Sequence, residues 1–250
     1  GLTVDREDNL FCSDEYGNFI AKYNDDGEQI DKWGEFGSGQ GQLNGPSGLA
    51  SDCEDNIYVV DSKNERIQKF SLNGKFLYSW GSPGTEQGQF NRPWGITLDK
   101  QGNVYVADWG NDRVQKFSDT GTFLRSFGTS KEEGGDLNHP SDVAVDSEGD
   151  VYVVDWGNKR VQIYDPEANI ITALHGDAQE FSKWANEVVQ SNPDALRAYR
   201  RVKDRTPLGL FERPVGIAIA DQDRIIITET TRGRLQVYQK ESGYMDPQFN

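Results

Sequence analysis

The stretch PWGITLDKQGNVYVADWGNDRVQKF, residues 93–117, recurs along the chain, and the recurrence limits the fold more than any single residue does. Self-similarity at a fixed period marks architectures in which one supersecondary unit is copied and stacked. Pro46, Pro93 and Pro140 follow one another at intervals of 47 residues, and the pairs Asp61/Arg66, Asp108/Arg113 and Asp155/Arg160 keep that interval. A later copy opens at Pro214, with Glu229/Arg234 in the same two slots. It lies 74 residues after Pro140, leaving an insertion of about 27. Projection backwards puts a first, degenerate copy at the start of the chain, where Asp14 matches Asp61 and Phe19 stands in the arginine slot.

Within a copy the local signals are those of strands. Residues 95–98 read as a short strand a, and Gly102 supplies turn chemistry. Residues 104–107, rich in β-branched and aromatic side chains, read as strand b. Residues 109–112 turn, 113–117 alternate as strand c, Gly121 turns again, and 122–127 form strand d. Four short antiparallel strands at this period describe a β-propeller blade. The fold class is therefore all-β, with repeats at about 1–45, 46–92, 93–139, 140–176 and 214–250 in a single domain. Strand d of the last copy is expected to be short or missing. The ending Gln248-Phe249-Asn250 repeats Gln89-Phe90-Asn91, so a five- or a six-bladed ring fits the pattern.

These copies resemble NHL repeats. The resemblance rests on the P-x-G-I/L-A-x-D opening, the I/V-Y-V-V/A-D core, the N-x-R-I/V-Q-x-F/Y strand and the G-x-F-N-x-P bridge; Asn138-His139-Pro140 approximates the motif that names the family. It covers nearly the whole chain outside the insertion and implies an NHL-type propeller. It implies little about activity, because one fold hosts many functions.

The insertion, about 177–207, reads as a helical hairpin over 177–205. Asp177 and Glu180 resemble a capping box. Phe181, Trp184, Ala185, Val188 and Val189 then line one helix face, with Trp184 expected to dock the hairpin on the propeller. Asn192 caps a second helix that begins with Pro193 and carries Arg197, Arg200, Arg201, Lys203 and Arg205.

Lys+Arg 26 against Asp+Glu 41 gives a net charge of −15, a statement about partners rather than fold. Phosphate binding needs clustered positive charge, so a nucleic-acid partner is not expected. No apolar run approaches the ~20 residues of a membrane span. Because it starts inside a repeat at Gly1, the chain reads as an excised domain, a processed product or one domain of a larger protein. Cys12 and Cys53 occupy non-equivalent repeat positions and fix neither a disulfide nor a compartment.

Strand alternation identifies a candidate face. In a four-stranded antiparallel blade the b–c turn and the d–a connection lie at one end, and the insertion is a d–a segment. Trp109 and Trp156 belong to b–c turns. Arg92, Trp94, His139 and Arg213 flank the blade-opening prolines at that end and, with strand a innermost, are expected at the channel mouth. Aromatic walls with a few polar groups form the default binding-site pattern. Trp33 and Trp80, in strand d, are expected in the core. The repeated Asp/Arg pairs are expected to fix the b–c turns. The acidic a–b turns at 5–9, 52–56, 99–103 and 146–150 lack the calcium-loop pattern.

The expectation is therefore a binding scaffold for a protein, peptide or small ligand, with no cofactor, metal or catalytic residue assigned. The alternative is a metal-dependent lyase or lactone hydrolase at the channel mouth. Related metal-dependent amidating lyases place histidines after the blade-opening proline, where this chain has Ser47, Trp94, Ser141 and Val215. His139 and His175 are its only histidines, fewer than the three ligands zinc normally needs. Glu229, among the acidic strand-end residues, is the weak candidate for a gluconolactonase-like carboxylate cage.

Overall fold

The computed structural model describes residues 1–128, 135–177, 183–201 and 209–240. Its strands form five antiparallel sheets in chain order, each a propeller blade. Blade 1 holds β1 (Leu2–Val4), β2 (Leu10–Asp14), β3 (Phe19–Tyr23) and β4 (Gln29–Trp33); blade 2 holds β5 (Pro46–Ser51), β6 (Ile57–Asp61), β7 (Arg66–Phe70) and β8 (Phe76–Trp80). Blade 3 holds β9 (Pro93–Leu98), β10 (Val104–Asp108), β11 (Arg113–Phe117) and β12 (Phe123–Phe127). Blade 4 holds β13 (Pro140–Val145), β14 (Val151–Asp155), β15 (Arg160–Tyr164) and β16 (Ile170–Leu174), and blade 5 holds β17 (Pro214–Ala220), β18 (Arg224–Glu229) and β19 (Arg234–Gln239). The expected fourth strand of blade 5, with Gln248-Phe249-Asn250, falls outside the described residues.

The inner strands start at the blade-opening prolines, two residues earlier than the sequence pattern suggests. Proline fits there because the first residue of a strand can forgo its N–H. All five residues of β10 are buried, since blades stack face to face and cover both sides of strand b. Successive residues therefore serve opposite seams. Tyr58 and Val60 pack against Ile96, Val104 and Val106 of blade 3. Ile57 and Val59 turn the other way, onto Phe11 and Ile20 of blade 1. Tyr105, Ala107 and Val114 meet Val143, Val151 and Val153, and Tyr152, Val154 and Val161 meet Ile225 and Ile227. Each large apolar side chain buried this way stabilises the seam by about 1.5–3 kcal/mol.

The tryptophans of strand d lock blade 1 to blade 2 and blade 2 to blade 3. Trp33 lies 4.5 Å from the Phe70 ring, and Trp80 lies 6.0 Å from Phe117 and 6.2 Å from Tyr58, centroid to centroid. Trp80 covers the c–d turn of blade 3 so closely that a Cβ on Gly121 would sit 2.6 Å from its Cγ, and Gly121 itself holds φ +81°. Both features demand glycine at that turn.

Four apolar cores join the five blades, and among the described residues none joins blade 5 to blade 1. Leu235 sits in the slot of Ile67, Val114 and Val161, which are fully buried, yet is 64% exposed. Leu2, in the slot of Leu49, Ile96 and Val143, is 66% exposed. Among the described residues, the faces that carry Leu235 and Leu2 are therefore exposed.

The insertion contains α1 (Lys183–Ser191) and α2 (Pro193–Arg201). Asn192 caps α2 as its sequence suggests: its Oδ1 accepts the amides of Asp194 and Ala195 at 3.0 and 3.2 Å. The neck is closed by the Phe211 N–H, which donates to the His175 carbonyl at 2.8 Å. The helices pack on each other, and among the described residues neither makes broad contact with a strand. The Trp184 side chain, the capping-box residue Glu180, and Lys203 and Arg205 fall outside the described residues.

Candidate recognition face and central channel

The site is built on the d–a connectors, and the repeated acid–base pair is what holds them. Asp108 is fully buried. Its Oδ1 accepts the amide of Asn91, in the connector leading into blade 3, at 2.8 Å. Its Oδ2 accepts from Arg113 Nε at 2.9 Å, from Asn111 Nδ2 at 2.9 Å and from Gln115 Nε2 at 3.1 Å. Arg113 also donates to the connector carbonyls of Glu86 and Gln89 at 2.8 and 2.9 Å. Burial pushes the Asp108 carboxyl up, against the pull of these donors.

The same arrangement recurs. Asp61 accepts the Asn44 amide at 2.7 Å, Asp155 the Asn138 amide at 2.7 Å, and Glu229 the Glu212 amide at 2.8 Å. Arg66 and Arg160 pair with their carboxylates at 2.8 and 2.7 Å, and Arg234 pairs with Glu229. The pairs therefore do more than fix the b–c turn: they pin the incoming connector to it. In blade 1, Asp14 accepts the amides of Tyr16 and Gly17 in its own turn.

On this base stands a continuous row of side chains. The Trp109 and His139 ring centroids are 4.1 Å apart, nearly perpendicular at 69°. His139 lies 6.4 Å from Trp156, and the Arg213 guanidinium carbon lies 5.7 Å from the Trp156 centroid. The row crosses the seams between blades 3, 4 and 5. Trp109, His139 and Trp156 are half-buried and Arg213 is exposed. His139 holds φ +55° and Arg92 φ +51°, in the slot that Gly45 fills at φ +62°. Strain of this kind at non-glycine residues is characteristic of functional positions.

Trp94 is 47% exposed and belongs to the channel wall. Arg92, His139 and Arg213 are not among the channel-lining residues, so the expected mouth ring reduces to Trp94. Among the described residues no ring contact joins Arg92 or Trp94 to the row. Arg197, Arg200 and Arg201 are exposed on α2, and Arg197 pairs with Asp194 of its own helix.

The opposite end of the blades is acidic, and its carboxylates are engaged. Asp52 accepts the Asn56 amide at 2.9 Å and pairs with Lys69 at 2.8 Å. Burial works to raise its carboxyl, but Lys69 and Asn56 outweigh it and hold it below the usual range. Asp5 and Asp99 have the same partners in Lys22 and Lys116, at 3.1 and 3.3 Å. Blade 4 has Ile163 in the lysine slot. Lys240 of blade 5 replaces the missing charge, reaching Asp146, Glu148 and Asp150 at 2.6, 2.7 and 2.7 Å.

The inner strands β1, β5, β9, β13 and β17 line a cavity of about 520 Å³. At one level of this channel the third residue of the blade opening is Gly1, Gly48, Gly95 and Gly216 in four blades and Asp142 in blade 4. The glycines allow inner strands to touch: a Cβ on Gly48 would lie 2.6 Å from the Trp94 carbonyl oxygen. Asp142 instead bridges two blades. Its Oδ2 accepts the Ile217 amide at 3.0 Å and its Oδ1 the Val143 amide at 3.0 Å. Burial pushes this carboxyl up to about 7, against those two amides.

With this geometry in view, the comparisons fall into place. The NHL repeat family model matches at residues 43–70, 90–117, 137–164 and 211–238. The chain is an NHL-repeat propeller. Each matched unit of this NHL propeller opens on a buried plug residue, Leu43, Phe90, Leu137 or Phe211, and closes at the end of strand c. Blade 1 is not matched. Among solved structures, the fold is similar to a streptogramin B lyase, with TM-score 0.60, 16% identity, and coverage of 96% of this chain and 68% of that one. It is similar to virginiamycin B lyase from Staphylococcus aureus, with TM-score 0.60, 15% identity, and coverage of 97% and 70%. It is also similar to a protein of unknown function from Bacteroides caccae, with TM-score 0.60, 13% identity, and coverage of 94% and 70%. At these identities the likeness concerns the fold. A search of curated protein sequences returns no match.

Among the described residues, no donor set for the divalent ion of a metal-dependent lyase or lactone hydrolase is assembled. Asp142 is the one ionisable side chain among the channel-lining residues. Among the described residues no three His, Cys, Asp or Glu side chains gather into a metal-binding group. Glu229 points instead into its connector, pairing with Arg234 and the Glu212 amide. Cys12 is half-buried and Cys53 exposed, and both are free thiols.

Two features escaped sequence reasoning. Lys240 acts across a seam, and no local pattern announces it. Asp142 was visible as the one break in the P-x-G opening, had the glycine slot been aligned across copies.

Proposed function

We propose that this NHL propeller is a recognition scaffold whose b–c and d–a face takes a protein, peptide or small ligand. The observation that carries this reading is the row Trp109–His139–Trp156–Arg213, half-exposed and held on connectors pinned by buried acid–base pairs. Aromatic and arginine side chains dominate binding hot spots, because they offer large contact area at low entropic cost. Arg92, Trp94 and the α2 arginines Arg197, Arg200 and Arg201 belong to the same end of the blades and extend the candidate surface. No described helix is long and apolar enough to cross a membrane.

The test is selection of binders from a displayed peptide library on the wild-type chain, followed by Trp109→Ala, His139→Ala and Trp156→Ala. Loss of binding with a melting temperature close to wild type supports the reading. Binding that survives all three changes contradicts it.

A metal-dependent lyase or lactone hydrolase is the second reading, favoured by the fold shared with propellers named as lyases. It expects a stoichiometric divalent ion in the purified protein, and elemental analysis decides it.

A further inference from the structure

We propose that the central channel is a second, separate binding site, for a small organic cation: a primary ammonium seated with its charge on Asp142.

Three observations converge on this. First, the cavity is of ligand size, about 520 Å³, and its wall combines strand backbone, hydroxyls and apolar side chains with one carboxylate. A pocket of that make-up with one convergent charged group is how small-molecule sites are built. Second, Asp142 breaks the repeat where four blades keep glycine, so the repeat pattern itself requires no carboxylate at this level. Third, its carboxylate has acceptor capacity left. A carboxylate offers about four lone-pair sites, and the amides of Val143 and Ile217 take two of them. It is wetted only through the channel and otherwise surrounded by protein, so a cation there meets weak screening.

The surrounding hydroxyls suit an ammonium as well. Ser47 Oγ donates to the Trp94 carbonyl at 2.8 Å and Ser141 Oγ to the Val215 carbonyl at 3.1 Å. With their hydrogens committed, these oxygens present lone pairs. The other charged group near Asp142 is the amino group of Gly1, which donates to Ser13 Oγ at 2.7 Å. No further ionisable side chain is found among the residues lining the channel.

The experiment is titration of the chain with benzylammonium chloride, read by ligand-observed NMR, beside benzyl alcohol and benzoate as neutral and anionic controls of the same shape. Saturable binding of benzylammonium is expected, with at least a tenfold preference over both controls. Asp142→Asn should weaken it at least tenfold. Equal binding of benzyl alcohol, undiminished binding to Asp142→Asn, or no binding at all overturns the proposal. Should Asp142→Asn fail to fold, the wild type gives a second reading: affinity rises from about pH 5.5 to about pH 8 as the carboxylate ionises. A flat profile overturns the proposal. Trp109→Ala should leave benzylammonium binding unchanged, so failure here is separate from failure of the rim reading.

Discussion

The His139 imidazole stands edge-on to the Trp109 indole, with ring centroids 4.1 Å apart, across the seam between blades 3 and 4. His139 reaches this position by holding φ +55°, and Arg92 holds φ +51° in the same slot one blade earlier, where no ring receives it. The left-handed conformation costs an L-residue about 1–2 kcal/mol. Glycine escapes that cost, as at Gly45.

Arg92→Gly is therefore expected to leave stability unchanged or to raise it by up to about 1 kcal/mol. Urea unfolding measures this. A loss of more than about 1 kcal/mol would mean that Arg92 is kept for packing and not displayed.

Trp33 and Trp80 build the blades, whereas Trp109 and Trp156 stand on the rim. Trp80 touches Tyr58, Tyr78 and Phe117 and covers Gly121, so Trp80→Ala should cost about 3 kcal/mol or more. Trp109 is half-exposed and touches His139, so Trp109→Ala should cost about 1 kcal/mol. Thermal and urea unfolding of the two variants side by side check the contrast. Equal losses would refute the division.

Most of the blade was legible in the sequence because its determinants are local. Period-2 patterning, turn glycines and β-branched strands set β10 and β11 within a residue of expectation, and Asn192 announced its own helix. What could not be read is set by contacts between copies. The Asp–Arg pairs looked like turn fasteners, since Asp108 and Arg113 are five residues apart; that they grip a connector at Glu86 and Asn91 is a tertiary fact. The exposure of Leu235 is of the same kind: it looks like Val114 in sequence, and only packing against a neighbouring blade separates them. At the rim, strand alternation sorted residues to the right end of the blades but not into contact. Trp109, His139, Trp156 and Arg213 converge, whereas Trp94 belongs to the channel.

Asp142 gives the stability of the fold a pH dependence whose sign is fixed. Its folded carboxyl titrates at about 7, above the usual 3.8. Between those values the native chain holds a proton that the unfolded chain releases. Stability therefore falls as pH rises from about 4 to about 7, by no more than about 4 kcal/mol. The depressed groups Asp5, Asp52, Asp99 and Glu229 act below this window, where their stabilisation is lost as pH falls. Asp142→Asn should remove the loss, so that urea unfolding at about pH 5 and pH 8 gives a smaller difference than in the wild type. Parallel pH profiles for the two proteins would contradict this account of Asp142.

The most direct test of the recognition face uses the indole N–H signals of the tryptophans, which sample both kinds of position in one spectrum. In a ¹H–¹⁵N experiment with a peptide selected on the wild-type chain, the Trp109 and Trp156 indoles are predicted to shift while those of Trp33 and Trp80 stay still. Shifts confined to Trp33 or Trp80, or binding that moves neither Trp109 nor Trp156, would contradict the claim that this NHL propeller reads its ligand with the row on the b–c and d–a face.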